Sequence, residues 1–256
     1  MCHYFAGKWN VWNLSLFLDG AETKARESGV FMNWPSFPAK SISLVMIKLV
    51  LNINPKVYPF DFMEKRNLRI TTHLNEPGTT SYNITTTLTN DDSEILVERY
   101  AKLGRIDNET RRPVKNPEEF LKAFSYLKNK GSPPALTKTD IPKTPTDCFK
   151  WCLTTRYSDL DSKLHANQSL YIKSCIDCVT HASKNGKLVP FHGDMIWYPV
   201  TYLAINYLGE SFANDELVVN MWQDKEEVSL FNFSIYKSTT QVAYIVCKFG
   251  IDLLKH

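Results

Sequence analysis

Tyr157-Ser-Asp-Leu-Asp161-Ser-Lys-Leu-His165-Ala-Asn167-Gln-Ser-Leu-Tyr171 decides how this chain is read. Two carboxylates, Asp159 and Asp161, precede His165 and Asn167, and an apolar run follows as far as Cys178. Upstream, Cys148-Phe-Lys-Trp-Cys-Leu-Thr-Thr-Arg156 roughly alternates and is rich in β-preferring residues, which predicts a strand. Downstream, Leu170, Tyr171, Ser174, Cys175, Cys178 and Val179 recur at three- and four-residue spacing, the apolar stripe of a helix. The acidic pair and the histidine therefore sit where a strand hands over to a helix. Asn167 or Ser169 is placed to cap that helix, whose first amides point at anything bound there.

The composition fits a chain with a sizeable core. Of 256 residues, 43% are hydrophobic and 12% aromatic, enough for one large domain or two ordinary ones. A net charge of +3 without a dense Lys/Arg block argues against nucleic acid as a partner. No segment reaches the roughly 18 consecutive apolar residues of a membrane span, since Leu44–Leu51 is short and interrupted by Lys48. Met1-Cys-His-Tyr4 has neither a signal-peptide nor a transit-peptide pattern, so a cytoplasmic protein is expected. The abrupt start is equally compatible with an N-terminal segment, such as an address signal, lying outside this chain. Five Asn-x-Ser/Thr sequons, at Asn13, Asn83, Asn108, Asn167 and Asn232, carry no meaning in that compartment. Cys148-x3-Cys152 and Cys175-x2-Cys178 lie in regular apolar segments without convergent histidines. They read as small buried hydrophobes rather than as a metal site, and no cofactor is expected.

Further out, the chain repeats itself. Val11-Trp-Asn-Leu-Ser-Leu-Phe17 laid over His165-Ala-Asn-Gln-Ser-Leu-Tyr171 matches Asn13 to Asn167, Ser15 to Ser169, Leu16 to Leu170 and Phe17 to Tyr171. Leu14–Gly29 predicts a helix ended by glycine, with Asp19, Glu22, Lys24, Arg26 and Glu27 on its polar side. Strands are expected at the end of Ser43–Asn54, over Arg66–Leu74, over Thr79–Thr89 and over Ile95–Ile106. In the second half, Asn185-Gly186 and Pro190 end the helix, and Val200–Tyr207, Asp215–Trp222, Val228–Lys237 and Gln241–Ile251 supply four more. The closing strands share wording, Ala101-Lys-Leu-Gly-Arg-Ile-Asp107 beside Cys247-Lys-Phe-Gly-Ile-Asp252. Between the halves, Glu118–Lys128 predicts a short helix, and Asn129–Pro145, with four prolines, an extended linker.

The Asp-Leu-Asp161, His165 and Asn167 wording resembles the hotdog-fold thioesterases, most closely the C-terminal half of plant acyl-carrier-protein (acyl-ACP) thioesterases. Those read Asp-Leu-Asp-Val-Asn-Gln-His-Val-Asn-Asn and continue into a long central helix. The resemblance implies an α+β chain of two tandem hotdog units, each a long helix wrapped by a curled antiparallel sheet. The N-terminal unit, 1–116, has only about a dozen residues before its helix, so it lacks a full first strand and carries no polar site. Residues 117–146 form the short helix and linker, and 147–256 the C-terminal hotdog with the site.

By the same resemblance, Asp161, His165 and Glu210 are the expected catalytic residues. Glu210 stands in Tyr207-Leu-Gly-Glu-Ser211, where the family has Tyr-x-x-Glu-Cys. Thioester hydrolysis needs an attacking water or carboxylate and donors for the developing oxyanion. Asp161 fits as general base or nucleophile, and His165 as the group that polarises the carbonyl or relays the proton. The amides around Asn167 fit the oxyanion. Lys163, Asn167 and Ser211 are the expected substrate-binding set. Lys163 replaces a family asparagine; it either pairs with Asp161 or meets a phosphate of coenzyme A or of a carrier's pantetheine. The expected activity is hydrolysis of acyl-coenzyme A or acyl-ACP to free acid and thiol, and pairing into a homodimer is compatible with it. The alternative is a non-catalytic acyl-binding or scaffold protein. A hotdog dehydratase ranks last, for want of its Asp/Asn-x4-His wording. His192 reads as a turn residue, Asp159 and Asp177 as structural, and Tyr171, Trp197 and Tyr202 as core.

Overall fold

The structure, a computed structural model, describes residues 9–28, 41–59, 67–128, 133–137 and 140–252. It is a mixed helix-and-sheet chain divided into two compact units: Phe17–Asn52 with Arg66–Thr139, and Met1–Leu16 with Ile53–Lys65 and Asp140–His256. The residues ahead of Trp9, where the sequence leaves room for an abbreviated first strand, lie outside the described residues.

Helix α1 (Val11–Glu27) belongs from Phe17 on to the unit of Phe17–Asn52 and Arg66–Thr139, which also holds strands β1 (Ile42–Ile53, less its last residue), β2 (Arg69–Leu74), β3 (Ser81–Thr89) and β4 (Ile95–Asp107), in spatial order β2-β3-β4-β1. β2–β3 and β3–β4 are antiparallel, with Ile84 opposite Ala101 and Leu88 opposite Val97. Leu49, Leu51, Tyr82, Ile84, Leu88 and Val97 are buried there. Each fully buried aliphatic contributes about 1.5–3 kcal/mol, which fixes which face of a strand turns inward. Gly104 has a packing reason: a Cβ there would meet Ile47 Cδ1 at 2.6 Å.

Two expectations need correction in this unit. Glu22 does not lie with the solvated charges of α1; its side chain is fully buried against Arg99 of β4, also fully buried. Asp19 Oδ1 accepts a second guanidinium hydrogen bond at 3.0 Å. A periodicity argument assigns charges to water, whereas a matched guanidinium lets a carboxylate sit inside. The short helix expected over Glu118–Lys128 is present, whereas the extended linker expected over Asn129–Pro145 is interrupted by a turn among its described residues. α2 (Glu118–Ala123) is followed by short 3-10 turns at Ser125–Leu127 and Pro134–Leu136, and Leu136 is buried.

The other unit holds strand β5 (Phe149–Thr154), helix α3 (Gln168–Lys184) and strands β6 (Val200–Tyr207), β7 (Glu216–Gln223), β8 (Leu230–Lys237) and β9 (Thr240–Phe249). The order is β6-β9-β8-β7-β5, and all four pairings are antiparallel. α3 packs against β5, β7 and the turn at Met195–Trp197. Its apolar stripe, Leu170, Tyr171, Ser174, Cys175, Cys178, Val179 and Ala182, is buried as its spacing predicts. Tyr58 donates its hydroxyl to the Val200 carbonyl at 2.7 Å, joining 53–59 to β6. Trp197 and Tyr202 are half-buried, and His192 is exposed. Among the described residues no helix is long and apolar enough to cross a membrane.

Candidate active site

Between β5 and α3 the chain makes two tight turns that the short polar side chains build themselves. Tyr157–Asp159 is a 3-10 turn, and Asp159 Oδ2 accepts the Arg156 N–H at 2.9 Å, a structural use of that acid. Leu160 then bridges Ala166, and between them Asp161 N donates to the His165 carbonyl at 2.7 Å. Leu164 N returns to the Asp161 carbonyl at 3.0 Å, and Leu164 itself sits at φ 63°. This is the three-residue hairpin loop, a type I turn closed by a left-handed residue. Glycine would take that position without strain; a leucine there costs on the order of 1 kcal/mol.

Asp161 is what holds the loop. Its Oδ1 accepts the Lys163 N–H at 2.8 Å and the His165 N–H at 3.1 Å. Lys163 is exposed at the tip, and the Lys163 atom that meets the Asp161 carboxylate is its backbone nitrogen. Asn167 caps α3, its Oδ1 accepting the Ser169 N–H at 2.9 Å and its carbonyl the Leu170 N–H at 2.9 Å. The Gln168 N–H, one position inside the cap, meets no acceptor among the described residues.

The loop after β6 comes alongside. Ser211 accepts the Ala166 N–H on its carbonyl at 2.8 Å and the Tyr171 hydroxyl hydrogen on its Oγ at 3.1 Å. Ser211 is buried, so its hydroxyl ties the loop to α3; burial pushes the Tyr171 phenol up, and the Ser211 bond acts the other way. The next residue back, Glu210, brings Oε1 to 3.5 Å from His165 Nδ1, each side chain about 30% exposed (29% and 30%). Phe212 on the far side meets the imidazole edge to face, ring centroids 5.2 Å apart.

Of the residues singled out from the sequence, His165 and Glu210 thus meet side chain to side chain. Asp161 reaches His165 through the main chain. Phe212 was not anticipated, although it directly follows Ser211. A carboxylate on Nδ1 favours the tautomer with Nδ1–H, which leaves Nε2 as an acceptor able to take a proton. Among the described residues no group of three or more His, Cys, Asp or Glu stands together as a metal site.

No family model matches the chain, and no curated protein sequence matches it. Solved structures do. An acyl-ACP thioesterase from Bacteroides thetaiotaomicron is similar over 96% of this chain and 92% of its own, with a TM-score of 0.69 at 17% identity. The 12:0-ACP thioesterase from Umbellularia californica is similar over 95% and 90%, with a TM-score of 0.73 at 12% identity. At such identities the likeness is one of fold: the chain has the hotdog fold of acyl-ACP thioesterases.

Proposed function

We propose that this chain hydrolyses an acyl thioester, on acyl carrier protein or coenzyme A, to a free acid and a thiol. The observation that carries the reading is the His165–Glu210 pair, set beside the start of α3 in a fold shared with acyl-ACP thioesterases. In this mechanism Glu210 holds the Nδ1–H of His165. Nε2 takes a proton from water as the water oxygen bonds to the thioester carbonyl carbon. The carbonyl oxygen becomes an oxyanion, and the Gln168 N–H with the positive end of α3 stabilises it. The tetrahedral intermediate collapses by breaking the C–S bond, and the imidazolium returns its proton to the thiolate. Asp161 contributes by holding the turn that presents His165.

We also read the two units as tandem hotdogs. Each half of the sequence has a 17-residue helix followed by an antiparallel set of strands, and the offset match of Asn13–Phe17 with Asn167–Tyr171 supports that pairing.

A second reading, an acyl-binding protein without turnover, is favoured by one observation: Asp161 Oδ1 is committed to two backbone amides. Incubation with a series of acyl-coenzyme A and acyl-ACP esters and a thiol reagent separates the two. Release of thiol by the intact chain but not by His165→Ala supports hydrolysis. Retained acyl binding with no release at any chain length supports the second reading.

A further inference from the structure

Lys237 closes β8, and its ammonium reaches back to the loop that bears Glu210. Nζ donates to the Glu210 carbonyl at 3.1 Å and pairs with Asp215 Oδ2 at 3.1 Å. It also lies 5.2 Å from the centroid of the Phe212 ring. The same Asp215 Oδ2 accepts the Phe212 N–H at 2.8 Å, while the Asp215 carbonyl accepts the Thr155 N–H at 2.9 Å from the end of β5. One cation therefore engages a carbonyl, a carboxylate and an aromatic face, all within residues 210–215, and two of those residues touch His165.

We infer that Lys237, acting with Asp215, is a positioning residue: it folds the 208–215 loop so that the Glu210 carboxylate and the Phe212 ring converge on His165. The purpose assigned to that convergence rests on the hydrolase reading; the geometry does not. Stability alone is a poor account of the contact. Lys237 and Asp215 are 31% and 25% exposed, and pairs at or near the surface contribute little to stability. What the ammonium supplies is direction. It offers three donors on a flexible stem and a charge that prefers the ring face, so it fixes Glu210 and Phe212 together rather than one at a time. A neutral side chain of the same length would leave a carbonyl and a carboxylate to be solvated by water, and the loop would relax toward it. Among the described residues, Glu210 faces the His165 ring, Asp161 meets its backbone nitrogen, Lys163 stands two positions away in the same turn, and Lys237 and Asp215 bear on Glu210 and Phe212.

The test follows the His165 imidazole by NMR in the full chain. Glu210→Gln removes the carboxylate partner and is expected to displace the His165 Nδ1 resonance, which the contact at 3.5 Å sets. In a Lys237→Met background the same substitution is expected to move it less than half as far. The ring-current displacement of the imidazole protons by Phe212 shrinks in parallel. Lys237→Arg restores both signals. Asp215→Asn keeps an acceptor for the Phe212 N–H but no charge; it gives an intermediate loss, and it carries the test should Lys237→Met fail to fold. A Glu210–His165 coupling undiminished in folded Lys237→Met, or in Asp215→Asn, overturns the inference. None of these signals requires turnover, so a chain that hydrolyses no thioester would remove the activity reading while leaving this one standing. Where turnover is present, Lys237→Met lowers kcat about tenfold with KM nearly unchanged, as expected for lost orientation of the reacting groups.

Discussion

Asp161 meets His165 through its carboxylate Oδ1 and the histidine's backbone N–H, 3.1 Å apart, and the same oxygen accepts the Lys163 N–H at 2.8 Å. The acid and the imidazole are thus coupled by a turn. Asparagine at this position would keep a carbonyl oxygen for both amides, whereas alanine would not. Asp161→Asn is therefore expected to retain activity to within several-fold. Asp161→Ala is expected to lose more and to lower stability by about 1 kcal/mol, the usual worth of a side chain that satisfies turn amides. Thiol-release kinetics and thermal melts of the two variants decide it. Collapse of activity in the asparagine variant, with stability intact, would return Asp161 to the role of base.

His165→Ala and Glu210→Gln probe the pair itself. General acid–base groups contribute about 10²–10⁴-fold, so His165→Ala should reduce kcat/KM by roughly that range. Glu210→Gln should reduce it less, because the imidazole remains but loses its orienting partner. The two losses should fall short of additive in the double variant, as expected of residues in contact. Full additivity would mean that the 3.5 Å approach of Oε1 to Nδ1 has no part in turnover.

The buried pair of Glu22 and Arg99 predicts stability rather than activity. Removing one partner of a buried ion pair strands the other and costs about 3–5 kcal/mol. Glu22→Ala and Arg99→Ala should each show a loss of that order in denaturant melts. Glu22→Leu with Arg99→Met, which removes both charges and refills the space, should recover most of it. Asp19, which also accepts from Arg99, limits the recovery.

Alkaline pH should unfold the protein. Burial pushes the Cys175, Cys178 and Cys247 thiols up from their ordinary value of 9.0, and the Tyr244 phenol from 10.0 to about 12. Below pH 9 these groups hold their protons in both states and cost nothing. Above it the unfolded chain releases protons that the native chain keeps, so stability falls as pH rises, with the Tyr244 contribution lost between 10 and about 12. Circular dichroism against pH checks the onset. A thiol reagent in native buffer should reach exposed Cys152 while sparing those three cysteines until unfolding.

How far the sequence could be read depended on whether a signal was local. β6 begins and ends at Val200 and Tyr207 as expected, because Pro199 and Gly209 bound an apolar run. β1 fills Ile42–Ile53 rather than only the end of that apolar run, and the other strands shift by a few residues at their described ends, where frayed pairing rather than residue type sets the limit. His165, Asp161 and Asn167 were visible because one short polar cluster builds the turn and the cap together. Glu210 was visible through its Tyr207 context. Phe212, Asp215 and Lys237 had no such mark: Lys237 lies 27 residues from the carbonyl it holds, and only the β7–β8 hairpin returns it. Glu22 was misread for the same reason, since its partner lies 77 residues on.

The hydrogen bond from Ala166 N to the Ser211 carbonyl joins the two loops atom to atom without using any side chain. Point substitution, proline at 166 aside, cannot delete it, and selection on residue identity at either end has little grip on it. An architecture fastened this way tolerates wholesale exchange of its lettering while keeping its seams, and chains agreeing at barely one residue in six can superpose over nearly their whole lengths.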